Sequence, residues 1–283
     1  MVFSSPASLA ETLAELEQEP SSRLLGGGTD LMVAINFGRE RPERLVSTRR
    51  LQELKRIEVG GRVVCGSGAT YSRLLGALAG REQAMEQAVR TVGSPQIRNA
   101  GTLGGNLGTC SPAGDTLPVL AALDAEIVLV SGRGERRLKL ADYMRGPKQP
   151  ALEPGELVYS AEWDAPGPSQ VFLKAGTRNA MVIAVANLAM VVDRVRRRVG
   201  VGLGSVGPTI ARAPAAEAFA EGLFESSSWE RPLRPTEAEA ARFGELAAGA
   251  ANPIDDQRGT QRYRLHIVAV MAVRALKRTG ATI

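Results

Sequence analysis

Apolar residues recur three and four positions apart at Leu9, Leu13 and Leu16, the spacing of one helix face. Ser5-Pro6 predicts where that helix opens: a serine oxygen accepts from first-turn N–H groups, and proline suits the first helical position. Glu19-Pro20 predicts its end. Arg23-Leu24-Leu25 then reads as a short buried strand, Gly26-Gly27-Gly28 as a turn, and Thr29-Asp30 as the cap of a helical turn through Phe37. Leu45–Ser47 predicts a second strand and Leu51–Leu54 a short helix. Arg56–Val59 and Arg62–Cys65, split by Gly60-Gly61, have the pattern of a β-hairpin. Helical spacing returns over Thr70–Ala79 and Glu82–Val92, and Gln96–Asn99 leads into a second glycine-rich loop at Gly101–Asn106.

Downstream, Thr116–Leu123 predicts a helix, Ala125–Val130 a strand, and Arg136–Leu140 its pairing partner. Leu157–Trp163 reads as a further strand. Pro166-Gly167-Pro168 then marks a domain boundary, giving residues 1–165 (subdomains of about 1–55 and 56–165) and 166–283. Val171–Ala175, Val182–Val192 and Arg198–Leu203 fit an antiparallel sheet, although the apolar run Met181–Val192 also fits a helix. The arginine run Arg194–Arg198 interrupts two apolar segments and reads as a hairpin tip. Pro214–Glu221, Pro235–Ala250 and Arg262–Arg278 predict helices, the last burying Leu265, Val268, Ala269, Ala272 and Leu276.

Candidate chemistry gathers in the two glycine clusters, LLGGGTDL over Leu24–Leu31 and GTLGGN over Gly101–Asn106. Neither has the lysine and hydroxyl of a Walker loop or the GxGxxG spacing of a Rossmann turn, and Gly66-Ser67-Gly68 lacks the third glycine. Successive amides in turn conformations make a concave anion site. Gly26–Leu31 and Thr102–Asn106 are therefore expected to hold a diphosphate from opposite sides. Thr29 and Thr102 add hydroxyls, and Asn106 an amide. The plainer alternative is that the glycines serve only tight turns.

The wording of LLGGGTDL, TVGSPQIRNAGTLGGNLGTCSPAGD and FLKAGTRNAMVIAVAN resembles the FAD-binding medium subunit of molybdenum hydroxylases, in the same order and over nearly the whole chain. The resemblance implies an α+β fold: a two-subdomain FAD-binding unit of the vanillyl-alcohol oxidase type, then a C-terminal α+β domain with a small antiparallel sheet. It also implies FAD contacts at Leu24, Leu25, Gly26, Gly27, Gly28, Thr29, Asp30, Leu31, Val92, Thr102, Leu103, Gly104, Gly105, Asn106, Asp115, Val158 and Lys174. Asp115 would accept from a sugar hydroxyl or adenine amine, or merely cap a helix; Val158 would be an apolar contact or ordinary core. Lys174 would approach the flavin, with Arg178 and Asn179 sharing its role, or lie on the surface. A cation there stabilises negative charge on a reduced ring. Tyr71 and Tyr143 are the aromatic candidates for ring packing, and His266 has no partner that would make it catalytic. Cys110-Ser111-Pro112 departs from a histidine- or aspartate-containing loop common in aerobic relatives, which leaves the oxidant open.

By the same resemblance the chain transfers electrons within a heterotrimer, expected as a dimer of heterotrimers. A large subunit would carry molybdopterin-bound molybdenum, and a small subunit two [2Fe–2S] clusters. The alternatives are a stand-alone flavin-dependent NAD(P)H reductase of the same fold and a flavin-free scaffold subunit. Two cysteines, Cys65 and Cys110, are too few for an iron–sulfur cluster or zinc cage on this chain, and buried free thiols are expected. A net charge of +5 with only 4% aromatic residues disfavours nucleic-acid binding. The first twenty residues lack a secretory pattern, and Met181–Val192 is too short for a membrane span, so a cytoplasmic protein is expected.

Overall fold

The computed structural model describes residues 1–282 and contains three principal sheets. The first is parallel, in the order β1 (Val2–Ser4), β3 (Arg44–Ser47), β2 (Arg23–Leu25). Helix α1 (Leu9–Gln18) joins β1 to β2, and the short α2 (Leu31–Asn36) joins β2 to β3. The sequence places the start of α1 too early and misses β1. Ser8 is the cap, accepting from Glu11 N, while the Glu11 carboxylate accepts from Ala7 N at 2.8 Å. Those two bonds start the helix at Ser8 and leave Val2–Ser4 extended against Arg44–Val46. The helix expected at Leu51–Leu54 is a single 3-10 turn at Glu53–Lys55.

The second sheet is antiparallel, in the order β4 (Ile57–Val59), β5 (Arg62–Gly66), β10 (Leu157–Asp164), β6 (Glu126–Ser131), β7 (Gly134–Lys139). Between β5 and β6 run α3 (Tyr71–Leu78), α4 (Gln83–Thr91), α5 (Pro95–Ala100), α6 (Leu103–Thr109) and α7 (Thr116–Ala122). Helix α8 (Leu140–Tyr143) and the small hairpin β8 (Met144–Gly146), β9 (Gln149–Pro150) follow β7. The helices cover one sheet face with a core that includes Leu74, Met85, Leu107, Leu117, Ile127, Leu129 and Trp163. On the other face Leu157, Val130 and Tyr159 meet Leu16, Val46, Leu51 and Leu54 of the first subdomain.

The third sheet is antiparallel, in the order β11 (Gln170–Ala175), β12 (Ala186–Asp193), β13 (Arg198–Gly204), β14 (Ala211–Arg212). Met181–Ile183 lie outside it, and β12 begins only at Ala186. Helices α9 (Pro214–Ser227), α10 (Glu237–Gly249) and α11 (Gln261–Ala281) cover one face, burying Leu188, Met190, Val201, Leu203, Phe224, Phe243 and Leu276. On α11, Val268, Ala272 and Leu276 are buried as expected, whereas Leu265 and Ala269 are half-buried and Arg264 is buried instead. His266 is exposed.

Strand β13 alternates valine or leucine with glycine, and the two sets face opposite ways. Val199, Val201 and Leu203 enter the C-terminal core. The glycines face α7: a Cβ on Gly200 would fall 1.9 Å from Ala122 O, and one on Gly202 would fall 2.0 Å from Pro118 O. Helix backbone thus lies directly on strand backbone. Phe172, Ala189 and Val191 complete the contact by joining the first core.

Candidate functional site

The first glycine cluster is the turn between β2 and α2. Among the described residues, none of the backbone N–H groups from Gly26 to Leu31 donates to a protein acceptor. Gly28 holds a positive φ of +73°, and Met32 N closes the turn onto Gly28 O at 3.1 Å. Asp30 occupies the cap position of α2 without capping it; its exposed carboxylate instead accepts from Thr109 Oγ1 at 3.1 Å.

The second cluster is a helix start, which corrects the expected loop. Thr102 caps α6 by accepting from Gly105 N at 3.0 Å. Leu103 N donates to Ala69 O at 3.1 Å, and Gly104 N to Ser67 O at 2.8 Å. Gly104 abuts Ser67 so closely that a Cβ would lie 2.4 Å from the serine Cβ. Gly104 therefore serves packing, and of the amides expected to face a diphosphate those of Leu103, Gly104, Gly105 and Asn106 are engaged by the protein. The two clusters nevertheless touch. A Cβ on Gly27 would fall 1.8 Å from Ala100 O, and one on Gly26 would fall 3.1 Å from Thr102 Oγ1.

A second polar group lies where the C-terminal sheet meets α4 and α7. Lys174 Nζ stands 2.5 Å from Asp115 Oδ2, and their side chains are 9% and 6% exposed. Asp115 Oδ2 also accepts from Thr91 Oγ1 at 3.0 Å, and Asp115 Oδ1 from Asn187 Nδ2 at 2.9 Å. Lys174 donates as well to Thr91 O at 3.4 Å. Asp115 precedes α7 but makes no side-chain cap. Lys174 is neither a surface lysine nor an unpaired cation. Asn106 Oδ1 accepts from Thr116 Oγ1 at 2.6 Å, which links this group to the glycine clusters.

Other candidates stand differently. Leu24, Leu25 and Leu31 are half-buried around the first turn. Val92 ends α4 and is half-buried against the main core; its carbonyl accepts from Arg98 Nη1 at 3.2 Å. Val158 is in that core, beside a register shift between β10 and β6. Arg178 bonds to Ala180 O and Met181 O of its own loop. Tyr71 and Tyr143 are buried, and burial pushes both phenols up. Tyr143 donates to Leu107 O at 3.1 Å. Cys110 is a buried free thiol in left-handed conformation, φ 51°; burial raises its pKa to about 11, which keeps it protonated near neutrality.

Sequence reasoning missed Thr91, Thr109, Thr116 and Asn187. Only Asn187 carried a signal, as a lone amide within an apolar run. A polar cavity of about 670 Å³ lies near the other end of α7, among Arg62, Asp124, Glu162, Arg196 and Glu217. Its charges largely pair with one another, as in Arg62–Glu126, Arg196–Asp164 and Arg212–Glu217. Among the described residues, no group of histidine, cysteine or carboxylate side chains could hold a metal, and no helix is long and apolar enough to cross a membrane.

A row of six unengaged amides, beside the Thr102 hydroxyl, fits a diphosphate group. Residues 1–162 match the family described as the FAD binding domain in molybdopterin dehydrogenase, and residues 171–279 match the CO dehydrogenase flavoprotein C-terminal domain. The nicotinate dehydrogenase FAD-subunit of Eubacterium barkeri is 34% identical over 200 residues, covering 67% of this chain and 68% of that one. The carbon monoxide dehydrogenase medium chain of Afipia carboxidovorans is 27% identical over 282 residues, covering 98% and 95%. A chain of the reconstituted CO dehydrogenase from Oligotropha carboxidovorans superposes with a TM-score of 0.88 at 28% identity, over 100% of this chain and 98% of that one. The chain belongs to the FAD-binding medium subunits of the molybdenum hydroxylase family.

Proposed function

We propose that this chain holds FAD with its diphosphate on the free amides of Gly26–Leu31, and relays electrons from a small iron–sulfur subunit to an external acceptor. FAD, when bound, supplies the electron-accepting chemistry. The substrate would be oxidised on a large molybdopterin subunit, and two [2Fe–2S] clusters would lie on the small one, in a dimer of heterotrimers. The protein's own contribution is binding and tuning. The amides of Gly26–Leu31 hold negative charge without using a cation. Thr102 Oγ1 accepts from Gly105 N and keeps its own hydrogen for a ligand oxygen. Lys174 has three donors, of which Asp115 and Thr91 engage two. The third is available to a flavin carbonyl, and its charge would favour the reduced ring. We place the flavin-holding unit at residues 1–165 and the unit that carries Lys174 beyond it.

The observation that carries this reading is the row of unengaged N–H groups from Gly26 to Leu31. Gly26 offers the direct test, because a side chain there meets only Thr102 Oγ1 at 3.1 Å and Thr48 Oγ1 at 4.0 Å. Gly26→Asp puts a carboxylate where the diphosphate would sit. It should cut FAD affinity by about 100-fold or more, since like charges brought together cost several kcal/mol. Gly26→Ala should cost less than about tenfold, the equivalent of 1.4 kcal/mol. Flavin absorbance and mass identification of the released cofactor read both. Equal retention in the aspartate variant and the parent would sink the assignment.

A further inference from the structure

Asn187 is 0% exposed, in a strand whose every residue is buried. It stands opposite Gly204 on β13, and a Cβ on that glycine would fall 2.1 Å from Asn187 Oδ1. The amide therefore occupies the space that a side chain at position 204 would need. Its nitrogen donates to Asp115 Oδ1 at 2.9 Å, but among the described residues its oxygen has no hydrogen-bond partner. A buried amide with an orphaned oxygen costs free energy that an apolar residue in the same strand would not. Asn187 thus accepts an unmet bond on one side while reaching across the domain seam on the other.

What it reaches is a carboxylate with unequal support. Asp115 Oδ2 accepts from Lys174 and shares the single Thr91 hydroxyl hydrogen with Ala88 O, whereas among the described residues Oδ1 accepts only from Asn187. The terminal torsion of an aspartate is broad and has no strong intrinsic preference. Without the amide, only the donors on Oδ2 restrain the carboxylate, which is then freer to turn about that torsion. As Oδ2 moves, the Lys174 ammonium, held 2.5 Å from it and 3.4 Å from Thr91 O, would shift with it.

We propose that Asn187 is a positioning residue of the flavin site: it fixes the rotation of the Asp115 carboxylate and, through it, the place of the Lys174 ammonium. Its bearing on the flavin rests on the reading that FAD lies beside Lys174; its bearing on Lys174 does not.

The test uses the full chain in its native complex, with Asn187→Ala and the milder Asn187→Ser in case the first does not fold. Acetic anhydride labelling, read by peptide mass spectrometry, should find Lys174 about tenfold more reactive in the variant, the equivalent of loosening its held position by about 1.4 kcal/mol. Lys139 and Lys277 should label as in the parent. The flavin midpoint potential should also move, and the Asn187→Ala/Lys174→Ala double variant should match Lys174→Ala alone, because residues acting through one another are not additive. Unchanged Lys174 labelling in a folded variant overturns the proposal, as do additive shifts in potential. Raised labelling in a protein whose parent holds no flavin upholds the positioning role and removes the cofactor reading instead.

Discussion

Glu82 is 1% exposed at the head of α4, where its Oε2 accepts from Trp163 Nε1 at 3.2 Å and from Gln170 Nε2 at 3.3 Å. Burial raises its pKa above the ordinary carboxylate range, and the two donors offset this only in part. A carboxyl with a raised folded value stabilises the fold fully below its unfolded pKa, and that contribution is lost as pH rises through the folded value. Glu82→Gln keeps an acceptor for both donors and removes the charge. Its Tm should match the parent near pH 4 and exceed it at pH 8 by calorimetry; a lower Tm at pH 8 would contradict the account. Lys174→Met should behave in the opposite sense, because it strands the buried Asp115 carboxylate. The expected loss is about 3 kcal/mol or more in urea unfolding, the usual result of removing one partner of a buried pair. At this scale the sequence pointed to Asp115 and Lys174 through family wording alone. Their mutual pairing was not visible, since residues 59 apart in sequence meet only when the start of α7 packs against the C-terminal sheet.

Among the elements, α6 shows how a local pattern is overruled. Three glycines in LGGNLGT argue against a helix on propensity. The helix forms because Ala69 O, Ser67 O and the Thr102 side chain take up its first-turn N–H groups. Two of those acceptors come from a turn more than thirty residues earlier, so no local window reveals them. Thr102→Val should cost about 1 kcal/mol through loss of the cap alone, and circular dichroism during thermal unfolding would measure it. Its effect on FAD retention should exceed that loss, because the same oxygen borders Gly26. Strand β13 is the converse case. Its alternation was legible as a strand, but the reason for its glycines lies on α7. Gly202→Ala would drive a methyl group to within 2.0 Å of Pro118 O. It should destabilise the protein by about 2 kcal/mol or more, as overpacking does. A Tm equal to the parent's would show that the helix can move away.

Taken whole, the described residues build three principal sheets, and the second and third are not joined by a free linker alone. Residues 165–169 link β10 to β11, yet Phe172, Ala189 and Val191 lie in the core of the preceding domain. Arg212 Nη1 donates to Ala121 O at 2.9 Å, and Ser205 N to Pro112 O at 2.8 Å across the same boundary. A protease site inserted at Gly167 should therefore yield two fragments that still co-elute in gel filtration. Separation without denaturant would mean the contact is weaker than its packing implies. The prolines and glycine of this segment suggested a boundary, and nothing in them hints that the sheets on either side share a core.

The glycine face of β13 has one more consequence. Most packed layers meet through side chains, which can change rotamer and let the layers slide or breathe. Here main chain meets main chain at Ala122 and Pro118, so there is no soft layer to compress. Asp115 and Lys174 stand on opposite sides of that contact. Mild pressure or warming should leave their surroundings unchanged, and a bound flavin should keep its visible spectrum until the whole fold gives way. The cofactor would then act as a two-position gauge of the protein, native or lost, with no gradual drift between.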